Sequence, residues 1–148
     1  MATKQTIAWG GSVKRSFTGA ANSFTSIPEA KGLVAPQVKF DFPDVTSLDS
    51  VGGYREFIKG LKDAGEITLP CGYTPLGYEQ QLADQAYATA IYYQVTFPLT
   101  PGQTLGDVFT FQGYPSVAIK ADDVGAPVGM EITIKLTGAP AWTKGAGA

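Results

Sequence analysis

Apolar and polar residues alternate with a period of two over five stretches of this chain, the pattern of strands that bury one face. In Gln37–Phe42, Val38, Phe40 and Phe42 share a face opposite Lys39 and Asp41, and in Gly65–Leu69, Ile67 and Leu69 share another. Ile91, Tyr93, Val95 and Phe97 oppose Tyr92, Gln94 and Thr96, while Phe109 and Phe111 in Asp107–Gly113 oppose Thr110 and Gln112. Glu131–Thr137 is the cleanest run, with Ile132, Ile134 and Leu136 set against Glu131, Thr133, Lys135 and Thr137. Turn residues separate these runs: Pro70-Cys71-Gly72, Pro98 to Gly106, Tyr114-Pro115 and Gly125-Ala126-Pro127. One-faced strands joined by turns predict a mainly β fold, an antiparallel sandwich or barrel rather than a doubly wound parallel sheet.

Two segments depart from alternation. Between Pro75 and Ala88, Tyr78, Leu82 and Ala86 recur at i, i+4 and i+8 with Ala83 and Tyr87 beside them, which predicts one flanking helix. On that reading Glu79, Gln80, Gln81 and Gln85 face away from the sheet. The second departure, Asp44–Glu66, packs eight charged residues around Tyr54, Phe57, Ile58 and Leu61. Their i, i+3, i+4, i+7 spacing allows a short turn of helix, whose length Gly52-Gly53 and Gly60 limit. A connection this long inside a small β-domain is usually functional or disordered, and its regular apolar spacing speaks for order. The flanks are simpler: residues 1–23 read as a loose hairpin or arm, and residues 139–148 as a small, flexible tail.

The 148 residues suit one domain with a real core. Only 16% are charged, below the roughly 25% of an average soluble domain, so part of the surface is expected to be covered by another subunit. Residues 1–40 carry five bases against Glu29, giving +4, and residues 41–148 carry six bases against twelve acids, giving −6. No basic cluster grips phosphates, so specific binding of DNA is not expected.

Chemistry is scarce. With no histidine, the commonest general base and metal ligand is missing, and Ser-His-Asp or Cys-His arrangements cannot form within one chain. Asp122-Asp123 reads as a turn before Val124-Gly125, and no loop has EF-hand spacing. Cys71, the sole cysteine, reads as a small buried residue beside Pro70. The expectation is therefore no catalytic residue, no cofactor and no metal. No apolar run reaches the roughly 18 residues that would insert in a membrane, and the chain's start shows no secretory pattern.

The long segment carries a resemblance. Asp44-Val45-Thr46-Ser47, then Tyr54-Arg55-Glu56-Phe57, then Gly60-Leu61-Lys62-Asp63-Ala64-Gly65-Glu66 leading into a strand, resemble the tail-tube proteins of long, non-contractile-tailed bacteriophages. The likeness is specific over residues 40–72 and continues with a helix after Tyr73 and strands at Tyr92, Val108 and Ile132. Where the family often has His after Ser47, this chain has Leu48, and the added C-terminal immunoglobulin-like domain that some relatives carry is not expected here.

What the resemblance implies is a structural virion protein of the phage tail, assembled in the host cytoplasm. Six copies would join their sheets into a ring, and rings would stack into a tube whose lumen conducts double-stranded DNA without specific binding. A tape-measure protein and tail-end capping proteins would be the further partners. The domain would span residues 1–148, with residues 43–65 forming a loop that reaches neighbouring subunits. Asp49, Tyr54, Arg55, Glu56, Phe57, Ile58, Lys59, Lys62 and Asp63 would make those contacts. Two alternatives stand beside it: a ring or tube protein of a phage-derived secretion system, and a monomeric β-sandwich binding module.

Overall fold

A computed structural model describes residues 9–20 and 23–146. Eight strands form: β1 (Ser12–Ser16), β2 (Thr25–Ser26), β3 (Lys39–Phe40), β4 (Lys62–Asp63), β5 (Glu66–Gly72), β6 (Ile91–Thr96), β7 (Val108–Lys120) and β8 (Gly129–Thr143). One helix, α1 (Pro75–Ala86), follows β5. Six strands make a single antiparallel sheet in the order β2-β1-β6-β7-β8-β5, curled into a half-barrel, and β3 pairs with β4 in a separate ribbon. The mainly β, antiparallel architecture with one flanking helix is thus realised as one curled sheet.

The alternation read from the sequence is the alternation of burial in β5 to β8, but not in Gln37–Phe42, where only Lys39–Phe40 pairs and Val38 and Phe42 are exposed. Ile91, Tyr93 and Val95 of β6, Ile132 and Ile134 of β8, and Leu69 of β5 are buried on one face with Val13, Phe111 and Met130. Ile27, Leu33 and Val34 from the β2–β3 connection pack on the same core, as does Tyr78 of α1. The other face is polar. Ser12, Lys14, Gln94, Thr110, Gln112, Tyr114, Ser116, Thr133 and Lys135 lie on it, carried there by the cross-strand register. Stacked Tyr93 and Phe111 rings, 5.7 Å apart, tie the middle of the core.

Three boundaries differ from expectation. Tyr114-Pro115 does not end β7; Pro115 sits opposite Ile134 in a strand that runs on to Lys120. Because β6 stops at Ile91 opposite Gly113, β7 beyond that point has a partner on one side only, where a missing N–H is tolerated. Pro70 is accommodated similarly on the outer edge of β5, its carbonyl accepting the Lys31 N–H at 2.9 Å. The expected tail from residue 139 is instead strand up to Thr143. After a register shift opposite Thr110–Gln112 the chain pairs again, Trp142 lying across from Phe109. Gly145 N–H then donates to Asp107 Oδ1 at 2.7 Å, and Ala146 accepts from Thr104 and Leu105. Of the expected arm, residues 1–8 and 21–22 lie outside the described residues, and Ser12–Ser16 is a full member of the sheet, paired to β6.

Among the described residues no helix is long and apolar enough to cross a membrane, and no group of three metal-ligating side chains converges.

Candidate assembly interface

Residues 39–63 leave the sheet as a two-stranded ribbon. Lys39 pairs with Asp63 and Phe40 with Lys62, and Asp44 pairs with Phe57 further out. Backbone bonds fill the interval: Asp41 N–H to Leu61 O at 3.0 Å, Ile58 N–H to Pro43 O at 3.1 Å, Val45 N–H to Glu56 O at 2.9 Å. The short helix allowed by the spacing of Tyr54, Phe57, Ile58 and Leu61 does not form. Those residues are extended, because their backbone groups are taken by the opposite limb. The only helical turn is a 3-10 turn at Val51–Gly53, at the tip, where Gly52 and Gly53 take φ of 68° and 71°, a left-handed conformation suited to glycine.

Two of the three motif runs behind the resemblance, Asp44–Ser47 and Tyr54–Phe57, face each other here. Glu56 N–H donates to Thr46 Oγ1 at 2.7 Å, Thr46 N–H donates to Asp44 Oδ1 at 2.8 Å, and Ser50 Oγ donates to Glu56 Oε2 at 3.0 Å. The side-chain and backbone hydrogen bonds from Thr46 hold the Asp44 carboxyl below its ordinary range. At the root, Lys59 Nζ sits 3.8 Å from the centre of the Phe40 ring. The ribbon is therefore shaped by its own bonds, without leaning on the sheet.

Its apolar side chains have no seat in this chain. Leu61 is 82% exposed, Tyr54 76%, Phe57 55% and Ile58 53%, and Phe42, Val45, Leu48 and Val51 are exposed as well. Asp49, Arg55, Glu56, Lys59, Lys62 and Asp63 are likewise on the surface. All nine residues singled out from the sequence fall on this ribbon; Asp49 is at the tip, and Lys62 and Asp63 are at the root.

Helix α1 is rotated from the expected orientation: Tyr78 packs on the core as expected, but the rest of its stripe turns outward. The stripe of Tyr78, Leu82 and Ala86 was expected to face the sheet and Gln81 to face water. Instead Gln81 and Asp84 are each 1% exposed, while Leu76 is 77% exposed and Leu82 43%. The cause lies in β1. Arg15 stands in register with Tyr93, on the core side of the sheet, and a buried cation needs an anion. Asp84 supplies it: Arg15 Nε donates to Asp84 Oδ2 at 2.7 Å, and Nη2 donates to Oδ1. Burial lowers the Arg15 pKa, and the guanidinium lies 4.3 Å from the centre of the Phe17 ring. Burial also pushes the Tyr93 hydroxyl well up; it and Gln81 Oε1 have no hydrogen-bond partner among the described residues. Sequence reasoning missed this cluster, although Val13, Arg15 and Phe17 alternate in step, and a cation at a core-parity position was the available signal. The helix start is conventional, with the Thr74 hydroxyl accepting the Gly77 N–H at 3.1 Å and Pro75 in the first turn. Cys71 is 2% exposed and its thiol is pushed up to about 11 by burial, the condition of a structural rather than reactive cysteine.

No family model matches the chain. No curated protein matches it either. Solved structures do. A chain in the six-fold symmetrised baseplate of the anti-feeding prophage superposes with a TM-score of 0.72 at 10% identity, over 97% of this chain and 98% of that one. A chain in the sheath/tube terminator of the extracellular contractile injection system PVC gives 0.69 at 14%, over 97% and 99%. A chain in the tail of an empty GTA particle with C6 symmetry gives 0.58 at 24%, over 89% and 94%. The chain thus has the fold found in components of phage-like tails and contractile injection systems.

Proposed function

We propose that this chain is a major tail-tube subunit of a long, non-contractile phage-type tail, forming six-membered rings that stack into a hollow tube. The observation that carries the reading is the ribbon: ordered by its own hydrogen bonds, lined with large apolar side chains, and unseated in its own chain. A monomeric binding module has no use for such an element, whereas a stacking subunit needs one that reaches a neighbour. The motif runs within the ribbon and the 24% identity to a GTA tail chain support the tail assignment.

In this reading the polar face of the sheet lines the lumen. Its charged residues are Lys14, Lys120 and Lys135 against Glu66 and Glu131, among Thr, Gln and Ser, and Lys120 is paired with Asp122 at 3.4 Å. Such a wall offers no run of cations to hold phosphates, so duplex DNA slides through without specific binding. A tape-measure protein inside the growing tube and capping proteins at its ends complete the set of partners. The particle would be built in the host cytoplasm, and the subunit would perform no catalysis.

A second reading, a tube protein of a contractile injection system, is favoured by the TM-scores of 0.72 and 0.69 to chains of such machines. Electron microscopy of the purified protein across concentration, paired with its mass in solution, tests both. Six-fold rings or hollow tubes are expected. A monomer at every concentration, even with tail-initiator proteins co-expressed, would overturn both readings in favour of a binding module. Recovery of a sheath protein wrapped on native tubes would select the second.

A further inference from the structure

The rotated helix and the unseated ribbon are complementary. On α1, Leu76, Leu82, Ala83 and Ala86 face outward around a single carboxylate, Glu79. On the outer limb of the ribbon, Arg55, Phe57 and Lys59 share a face with Lys62, since Lys59 and Lys62 both reach the Phe40 ring, while Leu61 lies on the opposite face beyond a bulge at Gly60. One surface is apolar with an anion, the other presents Phe57 among three cations, and neither is covered by its own chain. The ribbon cannot be an adventitious coil that collapses back, because hydrogen bonds on both limbs fix it. Nor is the outward apolar stripe a by-product of weak folding, since a buried ion pair holds the opposite side of the helix inward.

We infer that the ribbon of one copy docks on the outward face of α1 in a second copy, with Arg55 pairing to Glu79. Arg55 is the cation assigned, because Lys59 is already placed over the Phe40 ring and Arg55 makes no ion pair among the described residues. Phe57 then covers Leu76 and Leu82. This contact rests on the tube reading and names the receptor surface within it: a neighbour's helix, not its sheet edge.

The test uses two populations of full-length protein carrying different mass tags, one Phe57→Cys and the other Leu76→Cys, mixed before assembly and then oxidised mildly. Native Cys71 is buried and serves as the unreactive background. A disulfide-linked heterodimer of the two tags in assembled material is the expected result, absent when either cysteine is moved to Ser116 on the polar face. In parallel, Arg55→Glu is expected to raise the concentration needed for assembly about tenfold, and adding Glu79→Arg is expected to restore it. Circular dichroism should report unchanged folding for each, since both sites are exposed. Tubes that form without the heterodimer, and a Leu76→Arg/Leu82→Arg variant that assembles like the wild type, would overturn the contact while leaving the tube reading intact. A wild-type chain that never assembles would overturn both.

Discussion

The sheet and the ribbon treat their apolar residues in opposite ways. In the sheet, Ile91, Tyr93, Ile132 and Ile134 are fully buried, and the polar face opposite them is left to solvent. In the ribbon the backbone is satisfied just as fully, yet Tyr54, Phe57 and Leu61 stand in water. A chain that pairs its backbone in both regions but buries apolar surface in only one would, as the proposed tube subunit, separate folding from assembly. Hydrogen bonds give the ribbon its shape; the hydrophobic effect is held back for a partner.

Four substitutions or conditions probe that separation. The largest effect is expected from Asp84→Ala, which strands the buried Arg15 guanidinium and should destabilise the domain by about 3–5 kcal/mol in urea denaturation. An unchanged midpoint would show that solvent reaches Arg15 and that the helix is held by other contacts. Ile134→Ala should cost about 2–4 kcal/mol by opening a cavity at the centre of the sheet, with assembly lost only through unfolding. Phe57→Ala should shift the urea midpoint by less than about 0.5 kcal/mol while sharply reducing assembly seen by light scattering. Equal damage to folding from Phe57→Ala and Ile134→Ala would erase the distinction between the two regions. The smallest effect concerns pH. Because Asp44 has a lowered pKa in the folded ribbon, its contribution is complete above the ordinary carboxylate pKa of about 3.9 and is lost as pH falls through the lowered value. Amide exchange at Thr46, whose N–H caps that carboxylate, should rise below that range while β6 stays protected; rising exchange in both would assign the change to the whole fold.

The same contrast explains what could be read in advance. Period-two alternation identified β5, β6 and β8 because each packs a single face on a core, and burial imposes that period. It missed the second half of β7, since Gly113 and Pro115 look like punctuation. Gly113 is in fact required by close packing: a Cβ there would lie 2.4 Å from Ile134 Cγ2. Helix α1 was legible as a helix but not in its rotation, because its rotation is set by Arg15, 69 residues earlier in the chain. The ribbon was recognised by its motif runs rather than by any periodicity. The periods its limbs do show, alternation at Val38, Phe40 and Phe42 and helical spacing from Tyr54 to Leu61, did not translate into burial or a helix, because nothing among the described residues covers those faces. Its extended form comes from pairing between limbs, as at Asp44 and Phe57.

The root of the ribbon carries one mechanical consequence. β4 ends at Asp63, and the chain turns through Ala64 and Gly65 directly into β5. Gly65 has φ of 69° and open space for a side chain; its N–H donates to the Asp63 carboxylate at 2.9 Å and its carbonyl accepts the Leu136 N–H at 2.9 Å. In the proposed tube, rings joined through such stalks would bend first at this joint, where the sheet passes to the ribbon through two residues outside any strand. The persistence length of the tube would then be written in a two-residue joint, and substitutions there would change how far a long tail bends without changing its diameter.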